Sequence, residues 1–475
     1  MIVLLILLPI IAGIISFFIK NDKGVKNFSM LVSTLIFLIT IALVSCGGKL
    51  LYFEAQWLPQ LNSSFALSMD GLSKILCLLT SLAYPLVFAS TVNNRFDKSG
   101  NFYGLMLLMQ AGLMGVFLSA DVLLFYFFWE LALIPAYFLA SQYGGNKRIQ
   151  ATFKFFVYTF LGSVLMLVGI LYLYSKMPVP SFSLDAFYHL NLSFKEQTVA
   201  FWLFFIAFAI KVPLFPFHTW QPNAYEQAAT PVTMILSGVM VKMGVYAMIR
   251  FVLPIFPQAV AHLNHVVIIL SIIGILYGSL IAIRQDDVKR LIAYSSIAHL
   301  GLMCAAVFSL QQIGLQGAMI QMFNHGVNVI GLWIVANAIE QQTGTRKFSE
   351  LGGLAQKAPV LATLFMVMIL ANIALPLTNS FIGEFLMFNG LFRYHIWAAV
   401  VAGISIILVA VYSLGAMQKL FYGNTTVFTE GASEAHLTTN LTLIVIAIII
   451  ILFGICPHPI LQLAQDTAQT IFARW

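Results

Sequence analysis

The sequence predicts an all-α polytopic membrane protein of about fourteen spans, and three observations carry that prediction. The 475 residues are 60% hydrophobic and only 9% charged, against about 25% charged in soluble domains. Apolar runs of roughly 20 residues, the length that crosses a hydrocarbon core, recur along the whole chain. Two of these runs are interrupted near their middles by proline, at Pro213 and Pro376.

Numbered in order, the spans fall at 2–19, 28–46, 69–92, 101–119, 121–142, 149–174, 197–225, 230–253, 263–283, 288–309, 314–339, 358–391, 396–421 and 437–456. The opening MIVLLILLPIIAGIISFFIK has no basic region ahead of its apolar core, so it reads as the first span rather than a cleaved signal peptide. The tail PHPILQLAQDTAQTIFARW is too short and polar to span and is expected along the interface. Cys46, Cys77, Cys304 and Cys456 are scattered through apolar stretches, with no CxxC and no histidine at ligand spacing, and read as packing residues. No Rossmann glycine motif, P-loop, haem or iron–sulfur pattern is present, so no cofactor is expected in this chain.

Charge sets the orientation. The odd-to-even loops carry fourteen lysines and arginines, and the other side carries six: Lys49, Lys176, Lys195, Arg250, Arg393 and Arg474. By the positive-inside rule both termini then face away from the cytoplasm. The net charge of +7 is a topology signal and does not suggest a nucleic-acid partner.

Few charges remain inside. Lys74 and Lys154 sit one turn within their spans and are expected to snorkel to the headgroups. Glu130, Lys211, Lys242 and Glu384 fall near mid-span, where each costs at least ~2.5–3.5 kcal/mol. Their charges cancel, so they are expected to face one another or water.

Pro213 and Pro376 lie 163 residues apart, and FLGSVLMLVGI in span 6 faces NHGVNVIGLWI in span 11 at nearly the same offset. Spans 4–8 (101–254) and 9–13 (262–424) then form two five-helix units. Five is odd, so the second unit must be inverted. Inverted repeats with paired broken helices are a transporter pattern, with the site at the break. A break frees backbone groups that need protein or water cover, and Lys211 uses the hydrated gap.

Burial moves lysine and glutamate side chains toward their neutral forms, and neutral imidazoles relay protons. Glu130, Lys211, Lys242, His299, His325 and Glu384 thus form a candidate polar axis. If Glu130 pairs with Lys211 it holds the lysine protonated, and loosening the pair releases a proton toward Lys242. His218, just past the first break, fits packing and relay equally. A lone buried Glu–Lys pair is often structural; four central charges, three histidines and two breaks together favour transport. Moving a charge against the membrane potential costs ~2.3 kcal/mol per 100 mV. With no energy-supplying motif, the chain either exchanges one ion for another or is driven by a partner. A structural scaffold, the third class, predicts no role for the central charges.

At these residues the sequence resembles the antiporter-like, proton-translocating subunits of respiratory complex I (NADH–quinone oxidoreductase), and their M-type branch above all. FFWELALIPAYFL, KVPLFPFHTWQPNAYEQAATPVT, SGVMVKMGVYAMIR, DDVKRLIAYSSIAHLG and MFNHGVNVIGLW carry the likeness, over roughly 100–390. The resemblance implies fourteen spans, two inverted repeats and proton translocation. It implies Glu130 and Lys211 as the coupled pair, Lys242 as the central lysine, His299 and His325 as linkers, and Glu384 at the terminal position, where a glutamate marks the M-type. It implies sibling membrane subunits as partners, with flavin, iron–sulfur clusters and quinone chemistry held by other subunits, in a bacterial inner membrane. Asn223 and Tyr225 stand where the family frequently has Asp and His, and so put a relay role for that loop in doubt. Multisubunit sodium–proton antiporters and membrane-bound hydrogenases share the architecture and are the alternative.

Overall fold

The computed structural model describes residues 1–46 and 48–473; Arg474, counted above among the charges, lies outside the described residues, as does the side chain of Lys49. Helix occupies each of the fourteen expected segments. Eleven described helices are long and apolar enough to cross a membrane, and Leu4–Phe18 and Pro359–Asn372 are apolar but shorter. The span numbers above are kept for the helices found there.

The helix ends depart from hydropathy where the chain meets water. Span 2 begins at Asp22, six residues before the apolar run, because the Asn21 side chain caps it by accepting from the Lys23 N–H at 3.1 Å. Span 9 likewise begins early, with Pro257 in its first turn, where a missing N–H costs nothing.

Residues 52–68 break the all-helical expectation. Tyr52–Leu58 and Ser63–Ser68 pair as an antiparallel hairpin. Asp121 anchors it, accepting from Ser63 Oγ and the Ser64 N–H at about 3.0 Å while capping span 5 through the Leu123 and Leu124 N–H groups. The tail expected along the interface forms the helix His458–Phe472. It buries Ile460, Ala464, Thr467 and Ile471 on one face, and Thr467 Oγ1 accepts from the Leu72 N–H at 3.1 Å.

Two lysines do not snorkel as expected. Lys74 donates to the carbonyls of Val44 and Cys46 at 3.0 Å, closing the end of span 2. Lys154 donates to the Thr219 carbonyl at 2.9 Å, inside the first broken helix. Each finds unpaired carbonyls nearer than the headgroups. Cys77 and Cys304 are buried packing residues, whereas Cys456 is exposed.

Span 7 is two helices, Phe194–Lys211 and Gln221–Gln227, and span 12 is Pro359–Asn372 and Asn379–Tyr394. The two breaks share a backbone pattern. Leu214 N–H donates to the Ala209 carbonyl and Phe217 N–H to that of Leu214. At the second break Leu375 N–H donates to Leu370 and Thr378 N–H to Leu375. The correspondence therefore runs at 161 residues, not the 163 that the prolines suggest, and sets Lys211 against Asn372. A second correspondence lies at the starts of spans 5 and 10. Asp121 and Asp287 each cap their helix and each bridge the loop that follows the next helix, at Ser183 and Lys347.

Candidate functional site

Lys211 is the last residue of the helix before the first break and is 1% exposed. Its ammonium lies 5.4 Å from the centre of the Trp129 ring, and it has no hydrogen-bond partner. Glu130, next to that tryptophan, acts on Lys211 electrostatically. Among the described residues no ion pair within 4 Å joins them, and Glu130 Oε1 is also unbonded. The expected pair is thus assembled as neighbours and not as a contact.

Lys242 is fully buried in span 8, between two π-helical turns, Leu236–Met240 and Met248–Val252. Such turns leave carbonyls without the usual i+4 partner and recur at functional sites. Lys242 Nζ donates to the Ser237 carbonyl at 2.6 Å and meets His325 Nδ1 at 2.9 Å. With the lysine protonated, that nitrogen accepts, which places the imidazole proton on Nε2. The contact depends on glycine. Gly238 and Gly326 bring spans 8 and 11 together so closely that a Cβ on Gly326 would stand 2.7 Å from the Gly238 carbonyl.

The line continues without a gap. The rings of His325 and His299 lie 5.4 Å apart between centroids, and His299 Nδ1 is 3.1 Å from Glu384 Oε1. Gln321 Nε2 also approaches Glu384 Oε1, at 3.4 Å. Four of the six expected residues, Lys242, His325, His299 and Glu384, are therefore one connected chain. Glu130 and Lys211 form a separate group. Gly244 packs span 8 against Val212, with a Cβ there only 2.5 Å from Val212 Cγ2, so the two groups sit on touching helices. His218 is stacked beside Phe215 and Tyr277, at 5.6 and 4.9 Å between centroids, with Nδ1 unbonded.

Sequence reasoning passed over several polar residues here. On span 11, Asn324 donates to the Asn379 carbonyl and Asn328 to Ser380 Oγ, both at 2.7 Å. Gln321, Asn324 and Asn328 recur at the three- and four-residue spacing of one helix face, a signal that a charge-only reading ignores. Gln110 and Gln221 are fully buried with both amide atoms unbonded. Glu226, at the far end of the broken helix, joins a charged cluster. It meets Arg290 at 2.8 Å and Arg346 at 3.1 Å, and Arg346 meets Asp287 at 2.5 Å.

Comparison with known proteins agrees with this arrangement. The model of the family described as NADH:quinone oxidoreductase/Mrp antiporter, TM, matches residues 119–410. NADH-quinone oxidoreductase subunit M of Rickettsia prowazekii is 36% identical, over 99% of this chain and 98% of the relative. A chain of respiratory complex I from Thermus thermophilus superposes with a TM-score of 0.92 at 31% identity, covering 99% of this chain and all of that one. A chain of the Mrp complex from Dietzia sp. shares the fold, with a TM-score of 0.89 at 20% identity over 99% of this chain and 97% of its own. The chain belongs to the NADH:quinone oxidoreductase/Mrp antiporter family of transmembrane proteins.

Proposed function

We propose that this chain is a proton-translocating membrane subunit of an NADH–quinone oxidoreductase of the complex I type. Protons move along the buried axis Glu130, Lys211, Lys242, His325, His299, Glu384, driven by redox chemistry in partner subunits that hold flavin, iron–sulfur clusters and quinone. The observation that carries this reading is the connected chain from Lys242 to Glu384, bonded at 2.9 and 3.1 Å with two histidine rings between. Each member can both take and give a proton, which a fixed structural brace does not need.

The rest of the reading is ours on the same footing. The chain sits in a bacterial inner membrane with both termini outside, as the lysine and arginine bias favours. Residues 101–254 and 262–424 are two inverted five-helix repeats. The matching hydrogen bonds at the two breaks and the matching aspartate bridges at Asp121 and Asp287 support this. These aspartates fall in connections of opposite parity, as inversion requires.

Affinity purification from native membranes through a tag on this chain tests the assignment. Recovery with NADH-oxidising peripheral subunits is the expected result. Recovery with membrane subunits alone, in a complex that exchanges sodium for protons, would establish the antiporter alternative, which the Mrp likeness keeps in view.

A further inference from the structure

Past Lys242, span 8 carries Tyr246 and Arg250, one and two turns on. Tyr246 is 1% exposed. Its hydroxyl donates to the Phe117 carbonyl at 3.3 Å, and its ring packs against Phe117 at 5.3 Å. The Arg250 guanidinium lies 5.3 Å from the centre of the same ring. Arg250 is held in turn by Asp70 at 2.7 Å and by Ser73 Oγ at 3.4 Å.

Beyond this layer lies a cavity of about 390 Å³. Its mouth is formed by the exposed residues Tyr52, Glu54 and Asp185, and its inner wall includes the buried residues Asp121, Ser119 and Tyr246. A second cavity of about 150 Å³ flanks the Asp70–Arg250 pair on the side of the C-terminal helix, against Asp466 and Thr467. The larger space has room for several waters, and its carboxylates and serine hydroxyls can bind them. It belongs to the face that the charge bias places outside.

We propose that this cavity is the aqueous vestibule through which Lys242 exchanges protons with the outer face. Tyr246, locked by the Asp70–Arg250 pair, is the seal between them. The proposal rests on the reading of Lys242 as a relay group. Lys242 and Tyr246 share one face of the α-helical segment Lys242–Ala247. Four residues rise roughly 6 Å, so the vestibule stops one turn short of the lysine. The tyrosine fills that turn, with its hydroxyl already engaged. Opening the Asp70–Arg250 pair frees the cation over the ring and lets the ring swing from the path. A brace for the hairpin would need the ion pair but would not need a tyrosine between a cavity and a buried lysine.

The test uses the whole complex in native membranes, in a background with Cys46 and Cys456 replaced by serine. Ser183→Cys at the mouth and Ser73→Cys beside Arg250 should react with a membrane-impermeant charged thiol reagent applied from the outer face. Protection of both would overturn the vestibule. Tyr246→Ala should lose much of the ΔpH held per NADH oxidised, with a smaller loss in Tyr246→Phe, which keeps the ring. Asp70→Asn, which unlocks the arginine without opening a cavity, should also leak. Retention of ΔpH in both Tyr246→Ala and Asp70→Asn would overturn the seal. Adding Lys242→Met to Tyr246→Ala should abolish the leak, and a leak that persists would overturn the link to Lys242. Normal pumping by Lys242→Met alone would instead sink the relay reading, while the thiol labelling still reports whether the cavity is open.

Discussion

At the first break the ionisable side chain sits on the helix that ends there; at the second it sits on the helix that begins there. Lys211 closes Phe194–Lys211 and touches no hydrogen-bond partner, whereas Glu384 lies one turn into Asn379–Tyr394 and is held by His299 and Gln321. The backbone is the same in both, down to the two hydrogen bonds that turn the chain. The comparison separates two tasks. The break makes room for a charge in the membrane, and the surrounding side chains decide whether that charge is wired. The second half is wired from Lys242 onward, and the first half is poised beside it. Control of proton flow then belongs at the step between Lys211 and Lys242, where the helices touch and no hydrogen bond joins the lysines.

The largest effect should come from cutting the wired half. His325→Leu removes the only group bonded to both the Lys242 side and the His299 side of the line. NADH-driven proton uptake into inverted vesicles should fall on the order of 100-fold, the scale of lost proton-transfer catalysis, with complex content checked on native gels. Normal uptake would show that protons bypass the histidines, and the two halves would then be equally unwired.

Next is Lys242, where the halves meet. A hop needs a group that can be charged and neutral. Arginine is effectively always charged and methionine never is. Lys242→Arg and Lys242→Met should both lose most of the pumping. A brace predicts a different order, with arginine tolerated and methionine damaging, so wild-type uptake in the arginine variant would make Lys242 a fixed charge.

This ranking could be drawn only partly from sequence. Glu130, Lys211, Lys242 and Glu384 stand out because a charge in an apolar run is conspicuous, and the helical segments stand out for the converse reason. What was illegible is neutral or non-local. Asn324, Asn328 and Gln321 carry no charge, yet they bind the second half-helix of span 12 and so position Glu384. The hairpin at 52–68 is too short to show against fourteen apolar runs, and its anchor, Asp121, is a cap whose second partner lies 57 residues away. The 2 Å-scale question of which charges touch was also closed to sequence, because it depends on glycine contacts such as Gly238 with Gly326. The repeat offset was misread by two residues for a related reason. Proline marks a break, but hydrogen bonds define its register.

A smaller effect tests that glycine contact. Gly326→Ala places a methyl 2.7 Å from the Gly238 carbonyl, and relief by moving span 11 costs ~1–3 kcal/mol as overpacking does. The shift lengthens the Lys242–His325 contact. Uptake per assembled complex should drop several-fold, less than in His325→Leu. An assembled Gly326→Ala complex with full uptake would mean the 2.9 Å contact is not needed for transfer.

Glu130→Gln should cost less again. Glu130 acts on Lys211 through space without a bond, so the change removes a countercharge and leaves every observed hydrogen bond of the wired half in place. Pumping should be partly reduced with assembly largely intact. A loss as deep as that of His325→Leu would show that the first half is wired after all, and the contrast drawn above would fail.

The smallest effect belongs to Asn372, the residue that occupies at the second break the place of Lys211 at the first. It is neutral and satisfied: Nδ2 donates to Ser413 Oγ at 2.9 Å and reaches Ser295 Oγ at 3.4 Å. Asn372→Ala deletes those bonds, which are worth about 1 kcal/mol each at most in net terms, and leaves two serine hydroxyls to find other partners. Complex content on native gels should fall slightly, while proton uptake per complex stays at the wild-type level, because no ionisable group is moved. Asn372→Lys makes the sharper comparison. It gives the second break the charge that the first has, in a pocket already occupied by Ser295, Ser413 and Tyr412. A second lysine there has no Trp129 beside it, so it should destabilise assembly rather than add a relay site. If Asn372→Lys assembles and pumps normally, the side chains around a break matter less than its backbone, and the difference between the two halves is one of position alone.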